Sequence, residues 1–272
     1  MFEIVEKKVL GPDIKLFRIN APDIAKKAKP GQFVIIRINE TGERIPLTIN
    51  DFDPRQGTIT IVFQEVGKTT ILLGRLNSGG FIEDLVGPLG RPTEIEDFGK
   101  VVCVGGGVGT AVIYPVTRAL YQAGNQVIGI IGARNKDLII CEEEMKAFWH
   151  RLLITTDDGS KGIHGFVTDA LKKILEEEKI DRVIAIGPPI MMKFVAKTTQ
   201  LFGVKTIVSL NPIMIDATGM CGVCRVNVGG ETKFACVHGP EFDGHKVDFD
   251  LLIDRLNQYK EEEKIALSTL QD

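Results

Sequence analysis

Over residues 1 to about 98, apolar and polar positions alternate in short runs. Phe2–Val9, Ile14–Ile19, Gln32–Ile38 and Thr58–Phe63 read as strands. Gly11-Pro12, Pro30-Gly31, Asp53-Pro54 and Gln56-Gly57 separate them as turns. Short strands with this punctuation predict a small β-barrel. One stretch of helical spacing, Lys68 to Leu76, interrupts it.

From Lys100 the period changes. Apolar strands Lys100–Gly105, Gln126–Gly132, Leu152–Thr156, Arg182–Gly187 and Lys205–Val208 alternate with helical segments. Those segments are Thr110–Ala123, Glu142–Trp149, Gly165–Glu177 and Pro189–Phe202. Continuous apolar strands between helices predict a parallel, doubly wound sheet. The alternation stops after Asn211-Pro212, where a Gly- and Cys-rich stretch runs to about His245. A polar helix from Asp250 to about Leu267 closes the pattern. The expected organisation is a barrel over 1–98, an α/β domain over 99–210, a cysteine segment over 211–249 and a helix within 250–272.

Composition narrows the function classes. At roughly 150 residues per domain, 272 residues allow two domains with an appendage. Hydrophobic residues at 44% and charged residues at 25% suit a packed chain and exclude a disordered scaffold. A net charge of −3 leaves no electrostatic footprint for nucleic acid. No apolar run is long and glycine-free enough for a membrane span. The first ten residues, MFEIVEKKVL, carry charges and no apolar signal core, so the expected location is the cytoplasm. Five cysteines, three of them clustered, point to metal rather than to a disulfide framework.

The strongest chemical signal is Asp216-Ala-Thr-Gly-Met-Cys221-Gly-Val-Cys224, followed by Cys236. Plant-type [2Fe–2S] sites use C-x4-C-x2-C and a later Cys. The spacing here matches, with Asp216 in the first position. A carboxylate oxygen binds iron, though it is a harder ligand than thiolate. Two other readings compete: a Cys3His zinc site from Cys221, Cys224, Cys236 and His238, or three unligated thiols.

A second signal is the glycine-rich loop Gly105, Gly106, Gly107, Val108, Gly109, Thr110 between a strand and a helix. It brings bare backbone and a helix N-terminus to a diphosphate. The rival reading is a tight turn that uses glycine for packing. Gly187 and Pro188, and Asp157, fall at other strand ends on the same expected rim. Arg134 follows a strand and is placed to meet a 2′-phosphate. A third signal combines Arg44, Pro46, Leu47, Thr48 and Ile49 on the barrel with Gly67, Lys68, Thr69 and Thr70 at its helix start.

Lys29-Pro30-Gly31-Gln32-Phe33, Arg44…Thr48, the Gly-Gly-Gly-Val-Gly-Thr loop and the C-terminal cysteines together resemble the ferredoxin–NADP reductase superfamily. The branch is that of the dihydroorotate dehydrogenase electron-transfer subunits. Within it, Met220–Val226, Lys233–Cys236 and Gly239–His245 are similar to the small subunits of NADH-dependent reduced ferredoxin:NADP oxidoreductase, also known as sulfide dehydrogenase small subunits. Asp216 fits that family, whereas dihydroorotate subunits usually carry Cys there.

The resemblance implies a ferredoxin reductase-like fold: a β-barrel FAD-binding domain, a doubly wound α/β NAD-binding domain and a small iron–sulfur segment. It implies FAD, NAD(H) and one [2Fe–2S] cluster as cofactors. Arg44 would bind the FAD pyrophosphate, Thr48 would approach the flavin as the catalytic-site residue, and Pro46, Leu47 and Ile49 would line it. Gly67, Lys68, Thr69 and Thr70 would hold the pyrophosphate. The superfamily motif R-x-Y-[ST] has Leu47 in place of the aromatic residue. Gly106–Thr110, Arg134, Asp157, Gly187 and Pro188 would take NAD(H), and Asp216, Cys221, Cys224 and Cys236 the cluster. The implied partner is a larger subunit with a second FAD, [4Fe–4S] clusters and the NADP(H) site, reaching ferredoxin by electron bifurcation. Service to dihydroorotate dehydrogenase, to a sulfide or polysulfide reductase, or a zinc-stapled nucleotide-binding role remain as alternatives.

Overall fold

A computed structural model describes residues 1–270. The first sheet is antiparallel. Its strands are β1 (Phe2–Gly11), β2 (Ile14–Asn20), β3 (Phe33–Arg37), β4 (Arg44–Asp53), β5 (Thr58–Gln64), β6 (Phe81–Ile82) and β7 (Asp84–Leu89). Their order is β6-β1-β2-β5-β4-β3-β7, a nearly closed barrel. Short helices α1 (Pro22–Ala25) and α2 (Lys68–Arg75) lie in its connections. Phe17, Ile19, Val34, Ile36, Ile49, Ile59, Ile61 and Phe63 fill the interior.

Strand β3 shows why this barrel is more than a container. Its side chains alternate between two faces. Val34 and Ile36 point into the barrel core. Phe33 and Ile35 point outward and pack with Met214, Ala217, Cys224, Ala235 and Cys236 of the C-terminal segment. One strand thus belongs to two cores.

The second sheet contains β8 (Lys100–Gly106), β9 (Gln126–Ala133), β10 (Arg151–Thr156), β11 (Ile163–His164), β12 (Arg182–Ile186) and β13 (Thr206–Ser209) in parallel, ordered β11-β10-β9-β8-β12-β13. Helices α3 (Gly109–Gln122), α4 (Glu142–Lys146), α5 (Val167–Glu177) and α6 (Pro189–Leu201) connect them. The expected doubly wound sheet is present. The C-terminal segment adds a hairpin, β14 (Arg225–Val228) with β15 (Glu231–Phe234), then α7 (Ala235–His238) and β16 (Glu241–Asp243). Strand β16 joins the parallel sheet antiparallel to β13, so the cysteine segment is stitched to the α/β part by main-chain hydrogen bonds.

Two expectations need correction. The closing helix is broken into α8 (Phe249–Leu256) and α9 (Lys260–Ser268). Asn257 caps α8, and its N–H reaches both Ile253 and Asp254, as at a helix end. Residues 271–272 of the expected helix lie outside the described residues. The helix expected through Trp149 stops at Lys146. Trp149 lies instead over Gly129, where an added Cβ would sit 2.1 Å from the indole.

The barrel and the α/β part meet across an apolar cluster of Ile14, Val62, Ala111 and Ile140. Strand β4 also holds α3 directly. Arg118 donates to Asp51 at 2.6 Å, and the Asn50 amide donates to the Ala111 carbonyl. No described helix is long and apolar enough to cross a membrane.

Candidate functional site

A cavity of about 610 Å³ opens at the C-terminal ends of β8, β9, β10 and β12, where open α/β sheets take ligands. Six residues expected from the sequence line it: Gly106, Gly107, Val108, Arg134, Asp157 and Pro188. Gly107 adopts φ +55° with open space beside its Cα, so backbone is exposed to whatever enters. Ile14 and Gln64 of the barrel complete one wall.

The other three expected residues shape the loop without lining the cavity. A Cβ on Gly109 would sit 2.3 Å from the Ile186 carbonyl oxygen, so this glycine permits α3 to touch β12. Thr110 is buried, and its N–H bonds Gly107. Gly187 lies beneath Met191. The packing reading of the glycine loop therefore holds for part of it. The sequence reading missed Phe166, Ile190 and Phe194, which line the cavity and are 64%, 50% and 51% exposed. Ile190 and Phe194 fall at helical spacing, which resembles an ordinary core stripe. Their exposure is the signal, and it is visible only in the fold.

On the barrel, Arg44 begins β4 and is exposed, whereas Ile49 is fully buried in the barrel core. The Ile49 side chain is a packing group and cannot line a ligand. Ile45 and Leu47 pack against the same core, half-buried. The R-x-Y-[ST] motif places its Arg two residues before the aromatic position. Two residues before Leu47 stands Ile45. Arg44 lies three before Leu47 and on the opposite strand face, because strand side chains alternate. Its pyrophosphate role is thus detached from the motif. Thr48 lies directly across the ladder from Phe33.

At the start of α2, Thr70 Oγ1 accepts from the Gly67 N–H at 3.0 Å and from the Val66 N–H at 3.1 Å. Thr69 donates to Glu43 at 2.7 Å. These hydroxyls cap and anchor the helix. Gly67 has no atom within 4 Å of an added Cβ, so there is open space at the helix start, although its own N–H is taken by Thr70.

The four donors of the C-terminal segment come as two pairs. Asp216 Oδ1 lies 3.1 Å from Cys221 Sγ, and Cys224 Sγ lies 3.2 Å from Cys236 Sγ. Ala217, Gly219 and Gly222 all take positive φ, which wraps the loop around the first pair. The Cys221 thiol, with the Thr218 and Cys221 N–H groups, holds Asp216 at about 2, so it is a carboxylate. Burial and the Cys224 thiol push Cys236 up to about 12, so a cation must draw its proton off before it ligates. Among the described residues no three His, Cys, Asp or Glu side chains converge on a single-ion site. His238 is turned away: its Nδ1 accepts from the Phe234 N–H at 2.9 Å, and its ring stacks on Phe234. The zinc reading therefore loses its fourth ligand. Two pairs of donors fit a body with two metal centres.

Residues 211–248 match the family model described as the iron-sulfur cluster binding domain of dihydroorotate dehydrogenase B. Residues 103–197 match the oxidoreductase NAD-binding domain. A dihydroorotate dehydrogenase B (NAD(+)) electron transfer subunit homolog from Thermotoga maritima is 53% identical, over 97% of this chain and 93% of that one. The electron transfer subunit of Desulforamulus reducens is 32% identical, over 91% of this chain and 99% of that one. A solved structure of an NADH-dependent reduced ferredoxin-NADP oxidoreductase, reported for flavin-based electron bifurcation, superposes with a TM-score of 0.96. It is 50% identical, covering 100% of this chain and 98% of that chain. FAD, an iron–sulfur cluster and NAD(H) are accordingly the cofactors of this oxidoreductase subunit. The chain belongs to the family of dihydroorotate dehydrogenase B electron transfer subunits and their homologs.

Proposed function

We propose that the chain is the NADH-side subunit of a bifurcating ferredoxin:NADP(H) transhydrogenase, with a [2Fe–2S] cluster. The observation that carries this reading is the pairing of Asp216 with Cys221, together with that of Cys224 with Cys236, the second pair packed against the outer face of the barrel strand that neighbours Thr48. The carboxylate in the first position is the feature that sets the chain apart from an all-thiolate subunit. When bound, the flavin supplies hydride exchange with nicotinamide and single-electron exchange with the iron–sulfur centre.

In this reading the chain's own residues bind, orient and exclude water. Gly106, Gly107, Val108 and Pro188 bring backbone to the dinucleotide, and Asp157 and Arg134 face its ribose end. Phe166, Ile190 and Phe194 cover it. Gly67 and Lys68 face the FAD pyrophosphate, and Thr48 faces the flavin. Met214, Ala217, Phe33 and Ile35 keep water from Cys224 and Cys236. The implied partner is a larger flavoprotein subunit with [4Fe–4S] clusters, which holds the NADP(H) site and meets ferredoxin.

Purification of the tagged chain from its own cells under anaerobic conditions tests the assignment. A partner with FAD and [4Fe–4S] clusters is expected, together with NADH- and ferredoxin-dependent reduction of NADP. A partner with FMN and dihydroorotate oxidation would overturn it in favour of the pyrimidine enzyme. For the ligand set, Asp216→Cys is expected to shift the visible and EPR spectra. An unchanged spectrum would remove Asp216 from the ligands.

A further inference from the structure

Pro115 lies inside α3. Proline has no N–H, so the carbonyl four residues earlier, that of Ala111, loses its helical partner. Ala111 is fully buried, and an unpaired carbonyl there carries a desolvation penalty. The structure fills the gap from another part of the molecule. Asn50, 7% exposed on barrel strand β4, donates its side-chain amide to the Ala111 carbonyl. The pairing of β4 with β5 shifts register between Ile49 and Asp51, so Asn50 stands at a bulge. A bulge re-aims a side chain. The next residue, Asp51, takes Arg118 about two turns further along the same helix.

This contact connects the two halves of the chemistry. Asn50 lies two residues after Thr48. Ala111 lies two residues after Gly109, at the end of the loop that lines the dinucleotide cavity. A helix of ordinary sequence would satisfy its own carbonyl and leave Asn50 nothing to hold. We propose that Asn50 is a positioning residue for nicotinamide-to-flavin transfer. Through the carbonyl that Pro115 frees, it fixes the distance between the Thr48 strand and the Gly107–Thr110 loop. The role rests on the NADH–FAD reading above. Asp51 and Arg118 steady the same contact from the surface.

Pro115 makes a clean test possible. In Pro115→Ala the helix regains an N–H for the Ala111 carbonyl. Three full-length, FAD-loaded variants are compared with the wild type: Asn50→Ala, Pro115→Ala and the double variant. Urea unfolding reads stability, and anaerobic stopped-flow reads flavin bleaching against NADH concentration. Asn50→Ala alone is expected to lose both stability and rate. The double variant is expected to regain the stability of Pro115→Ala, yet keep a limiting bleaching rate about tenfold lower, with the NADH dissociation constant within about twofold. Recovery of rate together with stability would overturn the proposal, because Asn50 would then only satisfy a carbonyl. Failure of stability to recover would overturn the pairing itself. A wild type that NADH does not bleach would sink the NADH–FAD reading, and the proposal with it.

Discussion

Phe33 stands across the β3–β4 ladder from Thr48 and packs on its other side with Cys224 and Cys236. Strand β3 therefore lies between the strand assigned to the flavin and the cysteines assigned to iron, with Phe33 and Ile35 on the face toward the cysteines. The arrangement follows from period-two alternation: a strand that closes a barrel with one face can present the other to a second core. Phe33→Ala should cost about 3–5 kcal/mol by urea unfolding, the usual range for a buried aromatic truncation. It should also speed iron loss to a chelator. Phe33→Leu should cost less than half as much and hold iron nearly as well. Equal loss from both variants would assign the effect to ring chemistry rather than to packing.

The glycine loop contains two kinds of glycine, and they should respond differently. Gly109→Ala drives a Cβ into the Ile186 carbonyl, which is backbone and cannot swing aside. It should raise the KM for NADH at least about tenfold and lower the unfolding midpoint. Gly107→Ala meets no protein atom, only the strain of φ +55°, about 1 kcal/mol. Its Cβ enters the cavity assigned to the dinucleotide, so it should raise the KM for NADH with little change in the unfolding midpoint. Steady-state NADH–dye kinetics and urea melts on both variants check the contrast.

Arg134 is the cation lining the dinucleotide cavity, and Asp157 the carboxylate. An arginine holds a 2′-phosphate by charge-assisted hydrogen bonds, whereas a ribose hydroxyl gains little from it. Arg134→Ala should raise the KM for NADPH by about tenfold, equivalent to roughly 1.4 kcal/mol. The KM for NADH should change by about twofold or less. Equal changes for both nucleotides would place Arg134 elsewhere on the ligand.

Glu241 lies in β16, where it accepts a 2.6 Å hydrogen bond from Thr93 of the segment joining barrel and α/β part. Burial raises its carboxyl from the ordinary 4.5 to about 7, against the pull of Thr93 and Arg182. The folded state holds the proton across that window and the unfolded state does not. Stability from this group is therefore full below about pH 4.5 and is lost as pH rises to about 7. Glu241→Gln keeps a neutral acceptor for Thr93 and should flatten the dependence. Urea unfolding at pH 5 and pH 8 should show the variant gaining about 1–3 kcal/mol on the wild type at the higher pH. A wild-type slope that survives in the variant would assign the titration to another group.

Most of the parallel sheet was legible because β8, β9, β10, β12 and β13 are apolar runs and the longer helices α3, α5 and α6 lie between them. The barrel's first strands were legible from turn residues. Strands β6, β11 and β16 were not, since each is only two or three residues long. Strand β7 carries Gly87-Pro88, which reads as a turn. The donor set was legible from spacing alone, and its division into two pairs was not. That division depends on positive φ at Ala217, Gly219 and Gly222, and on packing against Phe33. The Asn50 contact was hidden for a similar reason: Pro115 marks a freed carbonyl, but nothing in the sequence says which distant amide takes it.

The most direct test of the account is cofactor analysis of anaerobically purified protein, with EPR spectra before and after NADH. The account predicts about two iron, two acid-labile sulfide and one FAD per chain, flavin bleaching on NADH addition, and a reduced-cluster signal appearing with it. One zinc per chain, with neither sulfide nor flavin, would contradict it.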